Sequence, residues 1–568
     1  MCGIVGFIQS KPTLSIVHTI LKRLEQRGYD SWGYYFQDET GTVSDYQKFI
    51  GPISQSRISD NDIYSTGILH TRWATTGEVN FENTHPVKNG NYYCVLNGIV
   101  DNYIELQKYI ESKGYELKTN SDTEVIPALL NYASKFSNEP KVILCRTRIF
   151  LKGNYAFLAI SPKYPNTIFA ACNGSPIYIT NNGLVSSDIQ SLSGFATKCF
   201  KLKDNDRVII TPSSLLTFDY DIDIPQKQEK LQNSPSIKLS EIQQQVDVKI
   251  PTLLFNNWDG ETKYDEVVIF GCGSSYYAGL LSQFFIEELI KTRCTICYSS
   301  DLQYHNLSLY SDKTLFIGIS QSGETFDTLQ ILKKLKSQNK SILVITNNQL
   351  SQAAMLSKNN IYLDCGTEYA VASTKTFTST VLSLLNLCSE NLDIKELIKA
   401  FKFILSNTKE IEKWANVIKD YNHVLFLARY INFPIACEAA LKMKEISYIH
   451  AEAILAAEIK HGPLALIDDK TFSIFILGGE NKGGQENVFN NINEVKARNG
   501  KCLIITNEVW EKSVRLYHND VIVVPIVDKW LQPLTFLIVV QLLAYYCAIL
   551  KGLNADRPRN LAKTITTL

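Results

Sequence analysis

The sequence has no excess of charge of either sign, because its 57 Lys and Arg residues are matched by 57 Asp and Glu residues. This balance gives no indication of a polyanionic partner or of an anionic membrane surface, so we expect neither nucleic acid nor membrane as a partner. No secretory signal pattern is evident at the start. The longest apolar run, near residues 534–550, is interrupted by Thr535, Gln541 and two tyrosines, so we expect it to form a buried helix.

The sequence also lacks clustered metal ligands. Its 13 cysteines are scattered, and its eight histidines form no cluster at the spacing of metal ligands. A chain of this size does not need disulfides to stabilise it. We therefore expect a reducing, cytoplasmic compartment and neither a structural metal nor a cofactor.

The length of 568 residues exceeds what one hydrophobic core supports, and about three to four domains are expected from it. Hydrophobic residues make up 45% of the chain and charged residues 20%, which is the composition of an ordinary soluble globular protein.

Cys2 stands directly behind the initiator methionine and before the apolar run Ile4-Val5. If Met1 is removed, one residue carries a thiol, which titrates near about 8.5, and an α-amine, which titrates at about 7.7–8.0. The amine can then act as the base for its own thiol, without a histidine. The alternative is a small buried cysteine on a first strand.

A second group of polar motifs follows Cys2. Taken singly, each member has a structural explanation: Arg72 is typical of a surface ion pair, Asn97-Gly98 of a hairpin turn, and Asp122 of a helix cap. The group consists of His70–Glu78, Thr84-His85-Pro86, Leu96-Asn97-Gly98 and Ser121-Asp122-Thr123-Glu124.

Taken together and in this order, these motifs resemble the class II glutamine amidotransferases over about residues 2–225. The resemblance implies a four-layer αββα sandwich of the N-terminal-nucleophile hydrolase type, with Cys2 as the nucleophile. It assigns Asn97 and Gly98 to the oxyanion that forms when the thiolate attacks a carboxamide. It assigns Arg72 to the carboxylate and Asp122 to the ammonium group of glutamine. The further glutamine-binding positions that it implies are Arg27, Trp73, Thr75 and His85.

Two residues depart from the amidotransferase pattern. Thr76 stands where the family loop has a histidine, and Trp32 stands where the family has a small residue. Neither change removes the nucleophile or the oxyanion donors. We expect them to affect loop closure and the fit of glutamine more than the chemistry.

A polar segment, residues 226–264, is predicted to be a linker with a short helical piece at Lys238–Gln243. Beyond it the sequence repeats loosely, at residues 265–402 and 403–555. Each repeat contains short apolar runs followed by helical stretches, which is typical of buried parallel strands wrapped by helices. The sequence therefore predicts two flavodoxin-like α/β domains in tandem, with ligands bound where strands end and helices begin. The matching runs are 267–271 with 423–427, 315–318 with 473–476, and 341–347 with 501–507.

Two strand ends in the first repeat are rich in small donors, at Gly271–Ser275 and Ile319–Thr325. Hydroxyl and N–H groups at a helix start can hold a phosphate monoester, although each segment alone could be a plain helix cap. The Ser-Gln-Ser-Gly-Glu-Thr string resembles that of sugar isomerase (SIS) domains. The lysine of a nucleotide-binding P-loop is missing, so we expect a sugar phosphate and no ATP.

The second repeat adds acidic and basic side chains. Residues 441–452 are predicted to form a helix, on which Lys442 and Glu445 share one face, as a surface ion pair would. With Lys460-His461-Gly462-Pro463 and the tail at 556–568, nearly the whole chain resembles the glutamine:fructose-6-phosphate aminotransferase family.

This second resemblance implies conversion of L-glutamine and fructose 6-phosphate to glutamate and glucosamine 6-phosphate, the first step of hexosamine synthesis. It assigns Lys563 to a Schiff base with the ketose, Glu445 to proton transfer between C1 and C2, and His461, from a second subunit of a homodimer, to ring opening. Lys442 lies beside them. It also implies an internal ammonia passage gated by Trp73 and walled by residues 559–568. The implied sugar-phosphate ligands are Ser275, Ser320, Gln321, Ser322, Thr325, Val371, Ser373 and Ala562.

Three alternatives remain open at the level of the sequence. One is another class II amidotransferase, although no phosphoribosyl or ATP-pyrophosphatase loop is found. The second is a regulator that binds sugar phosphate and has an inactive glutaminase half. The third is an enzyme whose glutaminase and isomerase halves are uncoupled. Thr76 and the short linker are the observations that suggest it.

Overall fold

The computed structural model describes residues 2–8, 14–53, 58, 63–74, 76–224, 236–251, 264–389, 392–479 and 487–564. It divides into two compact units. The first comprises residues 1–230 and 564–568, and the second comprises residues 231–563.

The first unit is built from antiparallel strands and four helices among its described residues. The helices are α1 (Leu14–Leu24), α2 (Tyr103–Ser112), α3 (Val125–Ala133) and α4 (Pro140–Arg148). The strands are β1 (Gly3–Ile8), β2 (Ser31–Asp38), β3 (Ser44–Ile50), β4 (Tyr64–Arg72), β5 (Val87–Asn89), β6 (Tyr92–Val100), β7 (Gly153–Ile160), β8 (Ile168–Asn173), β9 (Tyr178–Thr180), β10 (Leu184–Ser186), β11 (Lys198–Lys201), β12 (Arg207–Ile210) and β13 (Ile222–Asp223).

These strands form two stacked sheets. The larger has the order β13-β11-β9-β10-β1-β4-β2-β3, and the smaller has the order β12-β8-β7-β6-β5. Alternating apolar residues of both sheets, such as Ile4, Ile68 and Leu158, fill the space between them. Helices α2–α4 cover the outer face of the smaller sheet and α1 packs on β1. The predicted αββα sandwich is therefore confirmed.

The second unit contains two parallel sheets wrapped by helices. The strands are β14 (Glu266–Gly271), β15 (Arg293–Tyr298), β16 (Thr314–Ile319), β17 (Ser341–Thr346), β18 (Asn359–Tyr362), β19 (His423–Ala428), β20 (His450–Leu455), β21 (Thr471–Leu477), β22 (Lys501–Asn507) and β23 (Val521–Val524). The helices are α5 (Ile237–Gln243), α6 (Ser274–Phe285), α7 (Ser299–Leu302), α8 (Phe326–Ser337), α9 (Gln352–Leu356), α10 (Lys375–Cys388), α11 (Lys395–Ser406), α12 (Lys409–Ile418), α13 (Phe433–Lys442), α14 (Val488–Lys496), α15 (Glu508–Arg515) and α16 (Gln532–Leu550).

The two parallel sheets have the same strand order. The first runs β15-β14-β16-β17-β18 and the second β20-β19-β21-β22-β23, so each follows the 2-1-3-4-5 order of flavodoxin-like folds. The strands that the repeat predicts, β14 with β19, β16 with β21 and β17 with β22, occupy matching places. The prediction of two flavodoxin-like domains is confirmed.

Helix α16 corresponds to the longest apolar run of the sequence. It is the one helix among the described residues that is long and apolar enough to cross a membrane, but most of it is buried inside the protein. It contributes Phe536 and Leu537 to a core that also contains Phe285 and Leu382 of the first parallel domain. The prediction of a buried helix is confirmed, and this core joins both parallel domains.

One prediction of local structure is wrong. The helix predicted over 441–452 ends earlier: α13 stops at Lys442, one wider turn covers Met443–Ser447, and Tyr448 adopts a left-handed conformation with φ 57°. That conformation breaks the helix, and β20 begins at His450. The short helix predicted at Lys238–Gln243 is present as α5, and residues 236–251 belong to the second unit.

Candidate active sites

The Cys2 thiol lies at the end of β4. The pairing of β1 with β4 sets Gly3 opposite Thr71, which brings Cys2 beside the loop that starts at Arg72. The Trp73 N–H lies 3.4 Å from the Cys2 sulfur. Burial raises the pKa of the Cys2 thiol, while the Trp73 N–H and the Arg72 charge act in the opposite direction. The Cys2 thiol is therefore buried yet in contact with a hydrogen-bond donor.

Arg72 holds the loop that follows β4. Its guanidinium donates to the main-chain carbonyls of Thr76 at 2.7 Å, Gly77 at 3.2 Å and Glu78 at 3.0 Å. The side chain is only 2% exposed, so Arg72 is not the surface ion pair that its residue type alone suggests. Because position 76 contributes a main-chain carbonyl, this contact does not depend on the side chain there. Thr75 lies outside the described residues.

Asp122 is a buried carboxylate at the start of a short turn, Asp122–Glu124. Its Oδ2 accepts a hydrogen bond from the Val100 N–H at 2.9 Å. Burial raises the pKa of Asp122 to about 6, while the Val100 N–H and the Arg72 charge lower it. At pH 7 the carboxylate is therefore mostly ionised and can pair with an ammonium group.

Asn97 and Gly98 lie inside strand β6 and do not form a hairpin turn. The Asn97 side chain is 4% exposed, and its Oδ1 has no hydrogen-bond partner. A buried amide oxygen without a donor is costly unless a ligand supplies one. Gly98 has φ +98°, and a Cβ at this position would collide with the Asn154 main-chain oxygen, so glycine is required.

The other glutamine-binding candidates contact protein groups. Arg27 pairs with Asp188. The His85 ring lies 2.9 Å from the Thr123 hydroxyl and 3.1 Å from His70, and burial lowers the pKa of His85 well below its usual value. The structure therefore places His85 behind the Asp122 turn as a neutral ring.

Two tryptophans complete the surroundings of the first site. Trp73 is partly exposed and contacts the Tyr29 ring edge-on, with 6.0 Å between ring centroids. Trp32, the unusual residue of the sequence, is 2% exposed and stacks on Phe49 at 4.2 Å. Trp32 is thus accommodated as a core residue of the larger sheet.

The predicted phosphate loops follow β14 and β16, which are adjacent strands at the point where the strand order reverses. In the second loop the Ser320 hydroxyl lies 2.8 Å from that of Thr325 and accepts the Gly323 N–H at 3.0 Å. Ser275 lies in the first turn of α6, and Thr325 precedes α8. Gln321 and Ser322 are partly exposed in the same loop. The predicted ligands therefore belong to neighbouring helix starts, which suits an anion.

Lys442 is a buried lysine in contact with two carboxylates. It contacts Glu438 at 3.4 Å, pairs with Glu445 and donates to the Ser274 hydroxyl at 3.1 Å. Burial opposes its charge, but the two carboxylates raise the pKa of Lys442. Burial raises the pKa of Glu438 to about 7, against the effect of Lys442. The Lys442–Glu445 pair therefore lies within the second parallel domain, with only Glu445 reaching solvent, and the contact of Lys442 with Ser274 joins it to the first parallel domain.

Lys563, in the tail, donates to Glu368 at 2.6 Å and to the Ala370 carbonyl at 2.8 Å. Glu368 is 2% exposed; burial opposes its charge, but Lys563 and Lys238 lower the pKa of Glu368 to about 2. The neighbouring Val371 N–H donates to the Asp556 carbonyl at 3.1 Å. The tail is thus fixed to the loop that holds Val371 and Ser373.

A cavity of about 490 Å³ opens beside this tail. Glu445 of the second parallel domain and Arg559–Leu561 of the tail line it together. The Tyr448 hydroxyl accepts the Arg559 N–H at 2.6 Å and fixes this wall. Ala562 follows directly in the chain. His461 lies exposed at the end of the turn Ala456–His461 and is absent from the cavity lining.

Residue-by-residue reasoning from the sequence missed several members of the second site, namely Lys238, Glu241, Ser274, Glu368 and Glu438. Glu438 could have been found, because it precedes Lys442 by one helical repeat of four residues. Glu368 and Lys238 carry no comparable signal, since their partners are remote in the chain or lie on an irregular loop.

All thirteen cysteines are free. Two of them, Cys294 and Cys297, form a Cys-x-x-Cys pair, so the expectation that all cysteines are scattered is wrong at this one place. Both lie on β15, where residues three apart point to opposite faces, and they belong to separate hydrophobic clusters. Within the described ranges, no three metal-binding side chains come together.

Comparison with protein families matches both units. A model described as a glutamine amidotransferase domain matches residues 70–194, and one described as a SIS domain matches residues 262–389 and 417–551. Among solved structures, the C-terminal domain of glucosamine-fructose-6-phosphate aminotransferase from Francisella tularensis has a TM-score of 0.52 and 31% identity, covering 58% of this chain and all of that one. Tagatose-6-phosphate ketose/aldose isomerase from Escherichia coli shares the fold, with a TM-score of 0.51, 18% identity, and coverage of 58% of this chain and 96% of that one.

Curated relatives match over their whole length. The glutamine–fructose-6-phosphate aminotransferase [isomerizing] of Francisella tularensis subsp. tularensis is 33% identical over 618 aligned residues, covering 100% of both chains. The protein of the same name from Methanosarcina mazei is 34% identical over 625 aligned residues, again with 100% of both chains covered. Because these matches span both units, the chain belongs to the isomerizing glutamine–fructose-6-phosphate aminotransferase family.

Proposed function

We propose that this chain converts L-glutamine and D-fructose 6-phosphate into L-glutamate and D-glucosamine 6-phosphate, the first step of hexosamine synthesis. The observation that supports the proposal most strongly is that one chain carries two separate sets of buried reactive groups. Cys2, Arg72 and Asp122 make up the first set. Glu445 and Lys563 belong to the second, in a unit with SIS-type sheets. We assign residues 2–225 to glutamine cleavage, and residues 265–555 with the 556–568 tail to the sugar.

In the glutaminase half, the Cys2 thiolate attacks the carboxamide carbon of glutamine. The negative oxygen of the tetrahedral intermediate is met by the Asn97 amide and the Gly98 N–H, and its collapse releases ammonia and leaves a glutamyl thioester that water hydrolyses. The Arg72 guanidinium has five N–H donors, of which the three loop carbonyls do not use all, and we assign it to the carboxylate of glutamine, while Asp122 pairs with the ammonium group. Trp73 and Thr75 complete this site, with Arg27 and His85 in supporting positions.

In the sugar half, the Lys563 amine adds to the C2 carbonyl of the open-chain ketose and forms an imine, with loss of water. Ammonia then displaces the lysine, so that nitrogen replaces the C2 oxygen. Glu445 moves a proton between C1 and C2, which converts the ketose skeleton to an aldose. Lys442 stabilises the Glu445 carboxylate through their ion pair. Ser275, Ser320, Gln321, Ser322 and Thr325 bind the phosphate, while Val371, Ser373 and Ala562 contact the sugar.

The proposal includes delivery of ammonia in its neutral form. Ammonia that escapes into water at pH 7 becomes mostly ammonium, which has no lone pair for attack. We propose that the protein transfers it internally, and that the enzyme acts as a cytoplasmic homodimer in which His461 of one copy opens the sugar ring bound by the other. The exposure of His461 and the thirteen free cysteines support these last two points.

A label-transfer experiment tests the function. We expect the purified protein, given fructose 6-phosphate and glutamine labelled with ¹⁵N in its amide, to produce labelled glucosamine 6-phosphate and one equivalent of glutamate. Excess unlabelled ammonium in the solution should dilute the label only slightly. Glutamate and glucose 6-phosphate without amino sugar would indicate uncoupled halves, and no turnover of either substrate would indicate a sugar-phosphate-binding regulator.

The raised pKa of Asp122 predicts how glutamine use depends on pH. Its carboxylate must be ionised to bind the ammonium group of glutamine, so kcat/KM for glutamine should fall as the pH drops through about 6. Asp122→Asn should lower kcat/KM at pH 7.5 about 10- to 100-fold, because a hydrogen bond to a charged group is worth about 1.5–3 kcal/mol. The variant should also flatten this acid limb. An acid limb that survives in Asp122→Asn would assign the titration to another group.

A further inference from the structure

Lys238 is a buried lysine that the proposed mechanism does not use. It lies on α5, in the segment predicted to be a linker, and its side chain is 0% exposed. A buried ammonium is costly unless its three N–H groups find acceptors. All three are used: the Ala372 carbonyl accepts at 2.7 Å, the Ser373 carbonyl at 3.2 Å, and the Thr374 hydroxyl also accepts.

These three acceptors belong to the loop on which part of the sugar site is built. Two successive carbonyls, of Ala372 and Ser373, turn toward the same cation, so Lys238 fixes the direction of the chain between Val371 and Thr374. From the other side Glu368 accepts the Thr374 N–H at 2.8 Å. Without Lys238, two buried carbonyls would lose their donor and the loop would have to rearrange.

The same loop connects Lys238 to Lys563. Glu368 accepts a hydrogen bond from Lys563 at 2.6 Å, and Ala370, two residues before Ala372, accepts a second at 2.8 Å. The helix that carries Lys238 is itself attached to the tail, because Asp556 accepts the N–H groups of Ile237 at 3.1 Å and Lys238 at 2.7 Å. Helix, loop and tail therefore form one hydrogen-bonded assembly around the Lys563 amine.

The charges facing Lys238 come from four elements. They are Glu241 on α5, Glu368 on the loop, Lys442 on α13 and Lys563 on the tail. Burial and the Lys442 charge lower the pKa of Lys238 to about 8, with Glu241 and Glu368 opposing them. The Lys563 charge also lowers the pKa of Lys238, so the two amines lie close enough to interact.

We propose that Lys238 is a positioning residue for the sugar half of the reaction: it fixes the 371–374 loop and, through the Glu368 and Ala370 contacts of the same segment, the place of the Lys563 amine. The inference rests on the proposed role of Lys563 as the Schiff-base residue. The inference adds to the sugar site a lysine from a segment that the sequence predicts only to be a linker.

The test is Lys238→Met, which keeps the volume of the side chain and removes its charge and its donors. With saturating glutamine, we expect kcat/KM for fructose 6-phosphate to fall by about 100-fold at pH 7, the cost expected of a misplaced reactive group. The loss should appear in kcat as well as in KM, because a displaced Lys563 amine forms the imine more slowly. Borohydride trapping of the sugar on Lys563, read by mass, should be slowed to a similar extent.

Matched variants separate the possible explanations. Lys249→Met, in the same segment but exposed, should leave all parameters unchanged. Thr374→Val removes one of the three acceptors and keeps the other two, so it should raise KM several-fold with a much smaller change in kcat; it also decides the loop contact if Lys238→Met does not fold. Glutamine hydrolysis without sugar should be retained in each variant, and the melting temperature reports on the folding of the second unit.

Two results would overturn the inference. A Lys238→Met protein with wild-type kcat and KM would show that the lysine has no influence on the sugar site. A lower yield of folded protein whose folded fraction keeps the wild-type kcat, KM and rate of borohydride trapping would reduce its role to structural support. The wild-type protein is the reference for the proposed function itself: if it makes no amino sugar, that function fails, whereas a normal variant beside an active wild type contradicts only the role of Lys238.

Discussion

We expect the Cys2→Ala variant to lose glutamine-dependent synthesis of glucosamine 6-phosphate almost completely, by a factor on the order of 10⁶, as when a protease loses its nucleophile. The thiol is the one reactive group placed at the end of β4, beside the Trp73 N–H, and no other described side chain there can form the thioester. Synthesis from ammonium salt should continue in the variant, because the sugar half does not use Cys2. The measurement is product formation with each nitrogen source, side by side.

Cys145→Ala is the matched control for this prediction. Cys145 is a partly exposed thiol on α4 of the same unit, and its sulfur accepts a hydrogen bond from Arg207 at 3.0 Å. Its removal should leave both reactions unchanged. Full glutamine-dependent synthesis by Cys2→Ala would remove the nucleophile from the mechanism, and equal loss with both nitrogen sources would mean that the substitution damages more than the glutaminase site.

Lys563→Met should abolish synthesis from both nitrogen sources, by at least a factor on the order of 10⁴, because no imine can form with the ketose. Glutamine hydrolysis in the absence of sugar should be retained. The substitution also leaves Glu368 buried without its cation, and breaking a buried pair in this way costs about 3–5 kcal/mol. We therefore expect a lower melting temperature together with the loss of activity.

Lys563→Arg separates these two effects. Arginine keeps a positive charge for Glu368 but cannot be deprotonated in proteins, so it forms no imine. We expect this variant to be as inactive as Lys563→Met but more stable. Measurable synthesis by Lys563→Arg would contradict the Schiff-base role, whereas two equally unstable variants would contradict only the importance of the Glu368 pair.

The sheets of the second unit could be predicted from the sequence, because a strand buried on both faces appears as a short apolar run whatever surrounds it. Reasoning from local sequence failed at residues 448–452, where the sequence predicts that the helix continues. The left-handed Tyr448 and the pairing of β20 with β19 are tertiary effects, and they override local helix propensity.

The residues of the candidate sites could also be predicted from the sequence only in part. Cys2, Arg72 and Lys563 could be named because each stands in a recognisable motif. Lys238 could not, since its acceptors are more than 130 residues away and an exposed lysine in a polar linker has the same sequence pattern. Glu368 becomes meaningful only when the tail is seen to return to its loop. When a site is assembled from segments that are remote in the chain, the sequence reveals only the residues that stand in a recognisable catalytic or binding motif.

The apolar core around α16 has a consequence for truncation of the second unit. Phe285 and Leu382 of the first parallel domain and Phe536 and Leu537 of the second belong to one buried cluster. Removing either domain would expose the apolar surface that the other packs against. We therefore expect a truncated protein with a single parallel domain to aggregate instead of keeping half of the activity.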